Sequence, residues 1–305
     1  MTSVSQSRHC GGNRRRSAAC NPMPPLLPRA RGPMTPTLTD RTALDRNRTR
    51  ARRAPELFLH EEAALEIEER LAEVNRRFTA PAVVSPFPDL WRDRLPDARI
   101  VPDADRLALE PGSHDLVIHA LAMHWANDPV GQLVQCRRAL RPDGLFLGLL
   151  FGGRTLSELR IALAEAEAAV SDGLSPRVLP MAEIRDLGGL LQRAGFALPV
   201  ADSLLREVCY RDTLHLMRDL RAMGETNALD ARLRRPSRRA LFAEAEARYP
   251  RRADDRIVAS FEIICLTGWA PHDSQQKPLR PGSAAHSLAD ALEAARKDAI
   301  RTGDG

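Results

Sequence analysis

The stretch His114–Gly148, "HDLVIHALAMHWANDPVGQLVQCRRALRPDGLFLG", contains the pattern that decides the fold. Its first part, "DLVIHALAM", is a nearly continuous apolar run, typical of a strand that is buried on both faces of a parallel sheet. Asp128 and Pro129 then supply a helix N-cap and a first helical residue. "RPDG" predicts a tight turn, and "LFLGLLF" predicts a second buried strand. The stretch is therefore predicted to fold as strand, helix and strand.

The sequence on both sides continues this alternation. Upstream, apolar residues spaced i, i+4, i+7 and i+11 from Ile67 predict an amphipathic helix, and "PAVV" and "ARIV" predict short strands. Downstream, Thr155 and Glu158 predict a capping box that begins another helix. "FALPV", "REVCY" and "IVASFEIICLTGW" predict further strands. Strands that alternate with helices indicate an α/β domain with a mostly parallel sheet.

The N-terminal segment differs in composition from the rest of the chain. Residues 1–54 contain 12 Arg, no Lys and 2 Asp, which gives this segment a charge of +10. Because the net charge of the whole chain is +5, the remainder carries −5. A basic tail on an acidic domain is not the charge pattern of a nucleic-acid-binding fold. We predict that residues 1–54 are disordered. The segment resembles an organellar presequence; the alternative is that translation starts at Met34 and that the residues before it are an extension. The domain is predicted over residues 55–270 and a C-terminal tail over 271–305. The apolar runs are too short for a membrane span.

His124 and Trp125 follow the first predicted strand of the opening stretch. Open α/β sheets bind ligands at the carboxyl ends of their strands, so this pair is placed at a candidate site. His124 is a candidate general base or substrate-orienting residue, because the pKa of histidine lies near neutrality. Trp125 is a candidate wall of the site. The alternative is that Trp125 packs in the core and that His124 is its hydrogen-bonded neighbour.

Two further groups are candidates for contact with a substrate or partner. Gly152 and Gly153 would permit close backbone approach at the same edge of the sheet, and Arg154 would bind an anionic group; an ordinary loop is the alternative. Arg218 and Asn227 belong to a mixed polar cluster in "LMRDLRAMGETNAL", which is compatible with a partner surface or a solvated face. The five cysteines show no paired spacing, so no metal site is predicted.

The opening stretch resembles the fourth strand, following helix and fifth strand of class I S-adenosylmethionine-dependent methyltransferases, which implies a Rossmann-like fold. "FGGRTLSELR", "IRDLGGLLQRAGF", "LMRDLRAMGETNAL" and "FEIICLTGWAPHDSQQKPLRPGSA" are similar to the methyltransferase-fold assembly factors of respiratory complex I. The mitochondrial member of that family acts as a protein-arginine hydroxylase. A more distant resemblance is to the methyltransferase of biotin synthesis, which esterifies malonyl carrier protein.

The first half of the domain departs from the family pattern. Class I methyltransferases have a D-x-G-x-G-x-G turn after their first strand, where glycine lets the backbone approach the cofactor. This chain has "AVVSPFPDLW" there, and no glycine lies between Gly32 and Gly112. Residues 81–113 number 33, which is room for one βαβ crossover where the family has two. The sequence therefore predicts a class I methyltransferase fold with a shortened first half.

Four residues are implied as cofactor contacts by the resemblance. "RIVPDADRLAL" resembles the segment whose acidic residue contacts adenine, which points to Asp103; a solvated loop aspartate is the alternative. Leu121, Ala122 and Trp125 fall on the loop that follows the family's fourth strand. The cofactor implied is S-adenosylmethionine, although the glycine turn that usually holds it is missing.

The resemblance implies a methyltransferase of the complex I assembly factor type, with a complex I subunit or another protein as acceptor. It further implies a bacterial cytoplasmic protein that is peripheral at the inner membrane. The missing glycine turn favours a different function, that of a non-catalytic or repurposed assembly factor that has lost the usual cofactor binding. Hydroxylase activity is a third possibility, for which the sequence offers no metal-ligand set.

Overall fold

A computed structural model describes residues 37–171 and 173–275 of the 305-residue chain. The helices are α1 (Arg41–Ala51), α2 (Phe58–Val74), α3 (Asp89–Arg92), α4 (Pro129–Ala139), α5 (Ser157–Val170), α6 (Ile184–Arg193), α7 (Thr213–Ala222) and α8 (Arg239–Arg248). The strands are β1 (Pro81–Val84), β2 (Arg99–Val101), β3 (His114–Ala120), β4 (Leu140–Phe151), β5 (Ala197–Tyr210) and β6 (Ile257–Trp269). No helix among these residues is both long and apolar enough to cross a membrane.

The six strands form one sheet in the order β2-β1-β3-β4-β6-β5. β1 is parallel to β2 and β3, and β3 is parallel to β4. β6 runs antiparallel between β4 and β5. This arrangement confirms the predicted α/β, Rossmann-like fold with a mostly parallel sheet.

The first half of the domain is short, as the sequence predicts. One crossover through α3 joins β1 to β2, and the chain then returns past β1 to form β3. The strand order therefore reverses between β1 and β3. Ligands of open α/β sheets bind in the crevice outside the carboxyl ends of strands at such a point.

Helices cover both faces of the sheet. Successive side chains of β3 point to opposite faces, so Leu116 and Ile118 pack on one side and Val117 on the other. The first face packs on α2, α5, α7 and α8, and the second face packs on α4 and α6. This double covering explains why β3 is buried along its whole length.

The prediction of disorder over residues 1–54 is wrong for residues 37–54. Asp40 caps α1, because its carboxylate accepts a hydrogen bond from the Ala43 amide at 3.0 Å. Ala43 and Leu44 pack against Trp125 and the segment after α7. The helix was missed because its apolar face is small and lies among arginines, and its packing partners are far away in the sequence. Residues 1–36, with Met34, and residues 276–305 of the predicted tail lie outside the described residues.

Two local predictions are corrected by contacts with distant residues. Thr155 and Glu158 do not form a capping box; the Thr155 hydroxyl donates to the Glu262 carbonyl, and the Glu158 carboxylate accepts from Ser260. These bonds attach the start of α5 to β6. "FALPV" and "REVCY" lie in one continuous strand, β5, because β6 pairs with both.

Candidate functional site

The end of β3 places His124 and Trp125 at the carboxyl edge of the sheet. Leu121 has a positive φ of 42°, which turns the chain out of the strand, and residues Met123–Trp125 form one 3₁₀ turn. The Leu121 amide donates to the Leu149 carbonyl at 2.8 Å, and Leu121 and Ala122 are buried in the core. The sharp turn therefore places the two ring side chains beyond the strand ends, where both are buried.

Glu225 holds both rings in place. Its Oε2 is 3.1 Å from His124 Nε2 and accepts a 2.7 Å hydrogen bond from Trp125 Nε1. Burial raises the pKa of the Glu225 carboxyl, but His124, Arg48 and the bond from Trp125 outweigh it and hold that pKa below its usual range. Glu225 is therefore ionised at neutral pH. In the described part of the chain no hydrogen bond reaches its Oε1.

A cavity of about 250 Å³ lies beside His124, Trp125 and Glu225, at the carboxyl ends of β3 and β4. Its wall is mostly apolar and includes Trp125, Phe151, Leu156, Leu159, Leu163, Val178, Leu179, Met181, Met217, Leu220, Phe242 and Phe261. The charged residues of the lining are Arg177, Arg221 and Glu225. Arg177 is already paired with Glu167 at 2.6 Å. The cavity thus has an apolar body and a carboxylate in its wall.

The structure brings together some of the predicted site residues. Trp125 and Asn227 line the cavity, and Asn227 also donates to the Pro176 carbonyl at 2.9 Å. His124 lies behind them, bonded to Glu225. Trp125 packs in the core and also lines the cavity.

The other predicted contacts lie outside the cavity lining. Gly152 and Gly153 are close to the carboxylates of Glu262 and Glu183, so a side chain at either position would collide with them. Arg154 and Arg218 are exposed. Glu225 is the site residue that the sequence did not single out as the partner of His124. The two residues are 101 positions apart, and no local pattern links them.

Asp103 differs from its predicted role. It follows β2 and is 4% exposed, but both of its carboxylate oxygens lie 2.5 Å from Arg48 Nη1. Arg41 also approaches this carboxylate, at 3.5 Å. Asp103 is therefore a partner of α1 in this structure, and its carboxylate is not offered to a cofactor.

The turn after β1, beside the crevice between β1 and β3, is held by contacts within the chain. After β1, Ser85 Oγ accepts a hydrogen bond from the Phe87 amide at 3.1 Å, and the Phe87 ring packs on His60 with centroids 4.8 Å apart. Arg52, the C-cap residue of α1, donates to the Pro86 carbonyl. Because the turn has no glycine and the acidic residue is engaged, the residues of the crevice do not fit S-adenosylmethionine in this arrangement. No group of three potential metal ligands occurs among the described residues.

Comparison with known proteins shows which class of protein this chain is similar to. The family described as "Methyltransferase domain" matches residues 58–148. A solved structure of a putative methyltransferase from Bacillus halodurans C-125 covers 67% of the chain and aligns over 98% of its own, with a TM-score of 0.42 and 11% identity. Residues 58–148 are therefore similar to a methyltransferase domain.

Two curated relatives define its place more narrowly. The "Arginine-hydroxylase NDUFAF5, mitochondrial" of Danio rerio is 38% identical over 220 residues, which are 71% of this chain and 68% of the relative. The "Malonyl-[acyl-carrier protein] O-methyltransferase" of Xylella fastidiosa (strain M23) is 39% identical over 178 residues, 58% of each protein. The chain belongs to the NDUFAF5 family of methyltransferase-fold proteins.

Proposed function

We propose that this protein is a methyltransferase-family assembly factor that takes a cationic side chain of a protein partner, an arginine, into the cavity. The partner is a subunit of respiratory complex I or another protein acceptor, and the protein works in the bacterial cytoplasm, peripheral to the inner membrane. The observation that carries the proposal is the ionised Glu225 carboxylate, the one acidic residue among the described lining of a mostly apolar cavity.

An arginine side chain matches both parts of this cavity. Its aliphatic stem suits the leucine and methionine wall, and its guanidinium can bond to Glu225 Oε1 while Oε2 stays bonded to His124 and Trp125. A cation beside the Trp125 and Phe151 rings gains further electrostatic attraction. His124 is then a positioning residue, because its Nε2 orients the carboxylate.

The relatives' names support this substrate class. The Danio rerio relative is named an arginine hydroxylase, and the Xylella fastidiosa relative is named for a substrate attached to a carrier protein. The first name supports an arginine as the group that the cavity admits. The second supports only a substrate attached to a larger molecule, because a malonyl group carries a negative charge that Glu225 would not attract.

Methyl transfer from S-adenosylmethionine is the chemistry that family membership adds to this recognition. It requires α1 to leave the crevice, because Arg48 engages Asp103 there. The second candidate function is an assembly factor that binds its partner without modifying it. The engagement of Asp103 by Arg48 is the observation that favours it.

Calorimetric titration with N-acetyl-arginine methylamide tests the recognition step, with the citrulline analogue as a neutral isostere. We expect the arginine compound to bind and the citrulline compound to bind about 10- to 100-fold more weakly, since a hydrogen bond to a charged group contributes about 1.5–3 kcal/mol. Glu225→Gln should abolish the difference. Glu244→Gln, at a carboxylate of α8 outside the cavity lining, is the control and should preserve it. Equal affinities for the two compounds in the unmodified protein would refute the proposal.

A further inference from the structure

A groove between the start of α7 and α8 lies beside the cavity. A second cavity, of about 540 Å³, is lined by Asp212, Thr213, Leu214, Arg239, Phe242, Ala243 and Glu246. Phe242 lines both cavities, so they lie next to each other. A chain segment that places one side chain in the first cavity can therefore continue along the second.

The acidic residues of this groove are already engaged within the protein. Asp212 accepts hydrogen bonds from the His215 amide at 2.7 Å and from Arg211 at 2.9 Å. Glu246 accepts from the Thr213 amide at 2.8 Å and pairs with Arg251. Neither carboxylate is left to attract a cation from outside.

The arginines of the groove are in the opposite condition. Arg221 lines the first cavity, and Arg239 lines the second. Arg218 lies three residues before Arg221, so Arg218 and Arg221 are on one side of α7. All three are exposed, and none has an ion pair within residues 37–171 and 173–275. The groove therefore has a positive rim with no internal partner.

An exposed apolar residue lies beside this positive rim. Leu214, in the first turn of α7, is 52% exposed and lines the groove with Phe242 and Ala243. A nucleic acid backbone would neutralise the arginines but would leave these apolar side chains uncovered. A peptide with acidic and apolar side chains covers both.

We propose that this groove binds the part of the partner protein that flanks the arginine, and that this flanking segment is acidic with an apolar residue. The inference rests on the function proposed for the cavity and adds the sequence context in which the arginine is recognised. Glu225 selects the arginine, and Arg218, Arg221 and Arg239 select its acidic neighbours by charge complementarity.

Fluorescence anisotropy with four labelled peptides on the full chain tests this inference. The peptides combine arginine or citrulline at the centre with a leucine-containing flank that is either aspartate-rich or glutamine-rich. We expect the arginine peptide with the acidic flank to bind about tenfold more tightly than the arginine peptide with the neutral flank. This advantage should shrink as salt screens the charges.

A matched pair of triple variants locates the effect. Arg218→Gln, Arg221→Gln and Arg239→Gln together should remove the advantage of the acidic flank. Arg46→Gln, Arg50→Gln and Arg53→Gln, which remove three exposed arginines of and beyond α1, should keep it. Equal loss in both triple variants would mean that net charge alone attracts the peptide, and the inference would be wrong.

The same peptides separate this inference from the function on which it rests. Arginine peptides that bind equally with either flank overturn the groove and leave the cavity proposal standing. If citrulline replaces arginine without loss, the cavity proposal fails and so does the inference that depends on it. Displacement of the acidic peptide by a thymidine oligonucleotide at equal concentration would show a general anion surface and would also overturn the inference.

Discussion

The crevice between β1 and β3 and the cavity beyond β4 lie at the same edge of one sheet, but their acidic residues differ in how they are engaged. In the crevice, Arg48 of α1 is bonded to Asp103, and Phe87 packs on His60. In the cavity, Glu225 keeps one oxygen without a partner among the described residues. The difference shows that strand order predicts where a ligand site can form, whereas the side chains beyond the strands decide whether it is available.

Arg48→Ala is expected to have the largest effect, because it breaks the buried ion pair in the crevice. The side chains of Arg48 and Asp103 are 3% and 6% exposed, so the variant leaves a carboxylate buried without its cation. Loss of one partner of a buried pair costs about 3–5 kcal/mol of unfolding free energy. Urea unfolding measures this loss.

Arg50→Ala is the matched control, because Arg50 is an exposed arginine of the same helix. It should change the free energy of unfolding by less than about 0.5 kcal/mol. If the two variants are equally stable, α1 does not hold the crevice shut through Arg48.

The second-largest expected effect is a loss of folding stability in acid, caused by buried histidines. Burial lowers the pKa of His60 and of His119 to about 4, from 6.5 in the unfolded chain. Between these values the unfolded state binds more protons, so stability falls as the pH drops below about 6.5 and continues to fall toward pH 4. Between pH 7 and pH 5 each histidine should contribute a loss of roughly 2 kcal/mol.

The urea midpoint at the two pH values measures this loss, and His119→Gln should reduce the pH dependence by about half. The carboxyls with lowered pKa, such as Glu225, remain ionised over this range and do not obscure the comparison. A pH dependence that His119→Gln leaves intact would mean that other groups cause it.

The same comparison explains what the sequence could predict. The segment β3-α4-β4 was predictable because its apolar pattern and its N-cap at Asp128 are local, although the residues of the predicted RPDG turn lie within β4. The pair Arg48–Asp103 joins residues 55 positions apart, and His124–Glu225 joins residues 101 apart. Such contacts depend on how the helices pack around the sheet, which periodicity does not encode. The sequence therefore located the edge of the sheet and the residues His124 and Trp125, but not the closure of one site or the carboxylate of the other.

Asp40→Ala should lower the stability less than Arg48→Ala does. Its effect on ligand binding tests whether α1 obstructs the crevice. Asp40 caps α1 and pairs with Arg232 at 2.9 Å, outside the crevice. Loss of an N-cap costs about 1 kcal/mol, which favours undocking of α1. If undocking must precede cofactor binding, S-adenosylhomocysteine should bind about fivefold more tightly to the variant than to the unmodified protein.

Calorimetry with Asp40→Ala and with Asp45→Ala, at an exposed carboxylate of the same helix, separates the possibilities. Tighter binding in Asp40→Ala alone means that the crevice is a cofactor site that α1 closes, so the protein can act as a methyltransferase once it opens. Equal affinity in all three proteins means that α1 does not obstruct the cofactor. If none of the three binds the ligand, the crevice is permanently occupied by the chain itself, and partner recognition at the cavity accounts for the function without methyl transfer.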